Sequence, residues 1–219
     1  RLTVAAIVIL VLFSTGSTFQ ALRIARERTR ANQETETTRQ TLAFVDSLFE
    51  RTDPMGKEGA VTSIKELLDH GRRKLEDLQD QPLLQARLKL RMASLYENRG
   101  FTHEAGSLAE EALQGLERSQ GKNHPDTASA LSALGNSKHN QGYNPEAEAL
   151  HRRALAIREK ALGPDHPDVA AGLNNIADSL ANQGKVADAE ALHRRALAIR
   201  EKALGPDHPD VAASLNNIA

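Results

Sequence analysis

From Glu148 to Ala177 the chain reads EALHRRALAIREKALGPDHPDVAAGLNNIA, and from Glu190 to Ala219 the same string recurs with one change, Ser214 in place of Gly172. The offset of 42 residues also links fainter copies: His124, His166 and His208; Pro125, Pro167 and Pro209; Gly100, Gly142 and Gly184; Ala105, Ala147 and Ala189; Ala112, Ala154 and Ala196. A period of this length marks a repeat architecture. Each unit buries too little by itself, and stacking of neighbours provides the continuous core.

Within one unit, Val169, Leu173, Ile176, Ala177 and Leu180 fall at spacings of three and four, the apolar stripe of a first helix. Gln183-Gly184 ends it. A second stripe, Ala189, Leu192, Ala196, Leu197 and Ile199, runs to Leu204, where Gly205 is expected as a left-handed cap and Pro206 forbids continuation. Pro167 suits the first turn of the next helix and Asp168 sets a carboxylate at the positive end of its dipole, with Asp165 or His166 as the cap. Ala177, Ala189 and Ala196 stand where paired helices must approach closely. The expected fold is all-α, a solenoid of antiparallel helix pairs.

Composition agrees with that class. The chain has no Cys and no Trp, 3% aromatic and 26% charged residues, and a formal net charge of -1. That excludes a disulfide scaffold and gives no sign of a zinc site, and the near-zero charge argues against general binding to nucleic acid.

Outward from the repeats, Leu2 to Leu22 contains no charged residue. A bilayer core of roughly 30 Å needs about 20 helical residues, so residues 1–22 are expected to form a single transmembrane helix and to place the protein at a membrane. Arg23, Arg26, Arg28 and Arg30 follow as a juxtamembrane anchor. Residues 23–61 read as a juxtamembrane helix ending near Phe49 and a linker around Thr52-Asp53-Pro54-Met55-Gly56. Residues 62–81 read as a divergent helix capped by Thr62 or Ser63, running to about Leu78 with Leu67, Leu68, Leu75 and Leu78 apolar, which completes a capping hairpin. Residues 82–219 hold about three full units and a truncated last one. With Arg1 in place of an initiating Met and a last unit cut in half, the chain reads as a piece of a longer protein.

The tempting chemistry is Asp165-His166-Pro167-Asp168, with relatives at Asp207-His208-Pro209-Asp210 and Asn123-His124-Pro125-Asp126. A catalytic site occurs once, whereas a turn recurs in every unit, and each of these tetrapeptides meets a new helix N-terminus. They read as turns. His151 and His193 read as packing residues with no second convergent ligand. Arg152 and Arg194 stand four residues after Glu148 and Glu190, as solvated ion pairs do. No Gly-rich phosphate loop and no kinase signature occurs in the chain. No enzyme activity, cofactor or metal is expected of this stretch.

The combination of Leu-Asn-Asn-Ile-Ala, the Gln-Gly turn, and Ala-Glu-Ala-Leu-His-Arg-Arg-Ala-Leu-Ala-Ile-Arg-Glu-Lys-Ala-Leu-Gly-Pro-Asp-His-Pro-Asp resembles the kinesin light chain type of tetratricopeptide repeat, over roughly Pro82 to Ala219. Lys89 replaces an expected large apolar residue, Lys138 a usual tyrosine, and His151 and His193 a usual aromatic. The resemblance implies a right-handed α-solenoid whose first helices line a concave groove for a protein or peptide ligand. It implies Asn136, Asn174, Asp178 and Asn216 as the polar groove residues. An asparagine can donate to and accept from a peptide backbone at once.

A membrane helix, the Phe44 to Pro54 segment and light-chain-type repeats in this order are similar to the C-terminal part of bacterial membrane-bound serine/threonine protein kinases. That implies a catalytic domain upstream of Arg1, an inner-membrane location and a sensory or scaffolding role for the repeats. A stand-alone anchored scaffold, and a self-association module that makes a homo-oligomer, are the alternatives.

Overall fold

The computed structural model describes residues 63–218, together with Arg39. The expected membrane span, juxtamembrane helix and linker lie outside the described residues. Among the described residues no helix is long and apolar enough to cross a membrane.

Eight α-helices follow one another: α1 Ile64–Leu75, α2 Pro82–Glu97, α3 Thr102–Gln120, α4 Pro125–Asn140, α5 Asn144–Leu162, α6 Pro167–Ala181, α7 Val186–Leu204 and α8 Pro209–Asn216, with a short 3-10 turn at Glu76–Leu78 after α1. Helices α2 with α3, α4 with α5, and α6 with α7 form the tightest pairs, and each pair packs onto the next through α3 with α4 and α5 with α6. This is the stacked helix-pair architecture that the 42-residue period requires.

Within each complete pair, the turn between the two helices closes in the same way. Gly142 adopts a φ of 86° and its N–H donates to His139 O, while the N–H of Tyr143 reaches back to Lys138 O at 2.9 Å. Gly184 with Lys185, and Gly100 with Phe101, repeat both bonds. This double closure satisfies carbonyls at the helix end that would otherwise be orphaned, and the positive φ admits glycine alone at low strain. At the other turn Gly205 also takes a positive φ, 86°, but its ψ of 157° makes it an extended mirror-image bend rather than the left-handed helical cap expected. The chain thereby leaves α7 in an outstretched direction and turns at His208.

Of the two candidate caps, histidine is the one used. The Nδ1 of His166 accepts from the backbone N–H of Asp168 at 3.1 Å, and His124 and His208 do the same for Asp126 and Asp210. Each ring therefore carries its hydrogen on Nε2, and the tetrapeptides act as helix starts. Ser63 caps α1 in a reciprocal box with Glu66, and α1 ends at Leu75, three residues before the expected Leu78.

The core runs through every pair as one row of small residues between two rows of large ones. Ala177, Ala189 and Ala196 are buried, packed among Leu173, Ile176 and Leu180. Lys89, the apolar residue's replacement, is nearly buried and is held by Glu111 at 2.7 Å and Glu76 at 3.4 Å, so the first complete pair is closed by charge where the others are closed by hydrocarbon. Lys138 places its ammonium 5.3 Å from the ring centre of Tyr143, recovering a cation–π contact where a tyrosine was expected. Tyr96 keeps the tyrosine position in the first pair. It is fully buried and donates to Asp69 at 2.7 Å, and burial and that bond raise its phenol well above the ordinary range.

Candidate functional site: the wall of first helices

The first helices of successive pairs approach one another directly, α2 with α4 and α4 with α6. The second helices reach across with long side chains, Arg153 to Glu117 and Arg195 to Glu159. A stack whose first helices are the closer set curves toward them, which makes their outward stripe the inner wall.

That stripe is read from exposure. On α4 it comprises Ser129, Asn136 and Asn140, and on α6 it comprises Asp168, Ala171, Asn175, Asp178 and Asn182, at spacings of three and four. On α2 the corresponding positions are Arg87, Arg91, Ser94 and Asn98. Neighbouring helices are linked along this surface. Asn175 donates to Asn136 Oδ1 at 3.4 Å, Asn140 donates to Glu97, and Asn182 lies 3.4 Å from His139 Nε2.

Four residues were assigned to the groove from sequence. Asn136 and Asp178 occupy equivalent positions in successive units and both are exposed on the stripe. Asn174, expected there too, is 7% exposed and lies in the interior. Its carboxamide nitrogen donates to His193 Nδ1 at 3.1 Å, and its oxygen accepts from Arg200 Nη1 at 2.8 Å and Nη2 at 3.2 Å. Arg200 continues to Ser214 Oγ at 2.5 Å, so one polar chain joins α6, α7 and α8. The Nε2 of His193 stands 3.6 Å from Asp178 Oδ1, which brings Asn174 and Asp178 to opposite edges of the same ring. Asn216, the repeat equivalent of Asn174, is exposed on α8, where no second helix covers it among the described residues.

Reading the sequence missed Asn175, the neighbour of Asn174, whose side chain points one helical step around to the wall. It also missed Asn98, Asn140 and Asn182, which stand at the same 42-residue offset as the glycines and prolines. The offset alone was the signal that could have found them.

The α4–α5 pair carries a smaller version of the buried network. Ser132 stands where the next pair has Asn174, Gly135 where it has Ala177, and Gly172 where it has Ser214. His151 is 2% exposed and presses its ring onto Gly135, so that a Cβ there would come within 2.6 Å of Cε1. Ser132 Oγ and His151 Nδ1 are both buried with no partner. Burial, helped by the charges of His139 and Arg158, pushes the His151 imidazole down to about 4. Arg158, which matches Arg200, is itself lowered by burial.

Among the described residues no group of three or more His, Cys, Asp or Glu side chains is placed to hold a metal ion. A cleft of about 460 Å³ lies between α2 and α3, lined by Pro82, Lys89, Glu111, Gly115 and Arg118, away from the stripe.

No curated protein matches the chain. Among solved structures, the fold is similar to that of BtubC (BKLC) from P. vanneervenii, with a TM-score of 0.62 and 24% identity over 70% of this chain and 62% of that one. It is also similar to the nearly identical TPR-like repeats of a kinesin light chain candidate from Podosopora anserina, with a TM-score of 0.58 and 26% identity over 64% of this chain and 66% of that one. A variant of those repeats gives 0.60 and 24% over 70% and 73%. The chain thus spans less than two thirds of the first two proteins. Residues 127–168 and 169–210 each match the tetratricopeptide repeat, which makes the stretch from α4 to the start of α8 a pair of such repeats.

Proposed function

We propose that the repeats are a protein-interaction module that holds a segment of a partner protein along the wall of first helices. The carrying observation is the difference between the two surfaces of the stack. The second helices spend their outward charges on each other, in Arg152 with Glu148, Arg153 with Glu117 and Arg195 with Glu159. The first helices instead present a row of exposed amides, Asn136, Asn140, Asn175 and Asn182, with both donor and acceptor capacity toward a backbone. Tetratricopeptide repeats over residues 127–210 support the same reading.

A photo-crosslinking residue placed at Ser129, on the wall, and at Arg152, on the outer surface, tests it in the full chain. Partner capture from Ser129 and not from Arg152, weakened by Asn175→Ala with Asn182→Ala, is the expected result. Equal capture from both surfaces refutes the assignment.

We further propose that the module is tethered to a membrane by Leu2–Leu22 and belongs to a receptor-like serine/threonine kinase. The support is the uncharged span, the arginines after it and the resemblance of the whole arrangement to such kinases. Resistance of the full chain to carbonate extraction tests the tether. A Gly-rich loop and a His-Arg-Asp motif encoded upstream of Arg1 test the kinase, and their absence removes it. Protease accessibility of the repeats on spheroplasts then fixes their side of the membrane.

A further inference from the structure

Along the wall the charge changes sign from helix to helix. On α2 the stripe carries Arg87 and the exposed Arg91. On α4 it is neutral, Ser129, Asn136 and Asn140, and the carboxylate at its first turn, Asp126, is taken by Arg87 at 2.7 Å. On α6 the equivalent carboxylate Asp168 keeps a side chain 64% exposed, and Asp178, one 51% exposed, stands where α4 has an amide and α2 has Ser94. The other cation of the α2 mid-section, Lys89, is turned to Glu76 and Glu111 and does not offset this order. The wall is basic on α2, amide on α4 and acidic on α6.

We infer that the groove selects an extended protein segment of fixed polarity, with an acidic side chain over Arg91 and a basic side chain over Asp178 and Asp168. This rests on the groove reading above and adds to it the chemistry of the partner and its direction. Packed helix axes lie about 8–10 Å apart, so α2 and α6 are separated by roughly 20 Å, which an extended chain covers in about six residues. Between the two charges the segment passes over Asn136 and Asn140, which bond to its backbone and leave its side chains unspecified. The charged pairs at the ends act on selection and orientation more than on affinity. A segment laid in reverse sets like charges against each other at both ends.

The test uses a display library of random 12-residue segments selected on the full chain held in detergent micelles. The expected pool is enriched in segments with an acidic and a basic residue about six positions apart, always in one order along the sequence. Selection on Arg91→Glu with Asp178→Lys is expected to enrich the opposite order. A synthetic segment from the first pool should bind the charge-swapped protein roughly fivefold more weakly, from two exposed pairs. Helical circular dichroism confirms that the variant is folded. Enrichment without a charge order, or an order unchanged by the swap, overturns the inference and leaves the groove reading intact. No enrichment on either protein overturns both.

Discussion

Asn174 on α6 and His193 on α7 are joined side chain to side chain at 3.1 Å inside their helix pair, and the same amide holds Arg200 at 2.8 Å. Truncating it strands a buried ring nitrogen and a half-buried guanidinium. Asn174→Ala is therefore expected to lower unfolding stability by about 1–3 kcal/mol, whereas Asn175→Ala, one residue on, stays within about 0.5 kcal/mol and instead weakens partner capture. Urea denaturation and a capture assay on both variants separate the roles. Wild-type stability for Asn174→Ala would remove the network from the account.

The Ser132, Gly135 and His151 set and the Asn174, Ala177 and His193 set are two solutions for one position. Gly135→Ala alone drives a Cβ into the His151 ring and is expected to cost about 1–3 kcal/mol. Adding Ser132→Asn supplies the amide that His193 has and draws the ring off residue 135. The double variant should recover at least about 1 kcal/mol relative to the sum of the singles, as read from a double-mutant cycle. Strict additivity would show that the two positions are not coupled through the ring.

His151 makes the α4–α5 pair sensitive to acid. Its folded pKa of about 4 lies below the unfolded value near 6.5, so the unfolded chain binds the proton more readily. The stability from keeping this ring neutral is complete above about pH 6.5, falls as the pH drops toward 4 and is then exhausted, a loss on the order of 3 kcal/mol. Urea midpoints measured at intervals between pH 7.5 and 4 should show this slope in the wild type. His151→Phe should flatten it, and a slope that survives the substitution assigns it to other groups.

The histidine caps give a local test. His166→Ala is expected to lower stability by about 1 kcal/mol and His166→Asn to retain it, since either Nδ1 or an amide oxygen can accept from the Asp168 N–H. Thermal unfolding of the two variants decides it. Equal loss in both would mean that the ring acts through packing.

Most of the architecture was legible because it is written twice. Glu148–Ala177 and Glu190–Ala219 fix the period, Gly142 and Gly184 the turns, and Val169, Leu173 and Ile176 the buried stripe. The groove was legible only in part, for a rotational reason. Asn174 and Asn175 are adjacent in sequence and about 100° apart on the helix, so composition cannot say which of the pair faces the wall and which faces His193. The links between units were also hidden. Arg152 makes the expected bond within its helix, but Arg153 reaches Glu117 in the unit before, a partner that no spacing within a helix reveals.

Two stretches this similar invite a unit to dock on the wrong copy during folding, a characteristic failure of repeat proteins. The single difference between them sits where it can oppose that error. Ser214 offers Arg200 a hydroxyl at 2.5 Å, and Gly172, its equivalent, has none to offer. If α7 closed on the α6 sequence instead of the α8 sequence, the guanidinium would lose that partner. One oxygen atom thus serves as an address, telling the chain which of two nearly indistinguishable helices comes next.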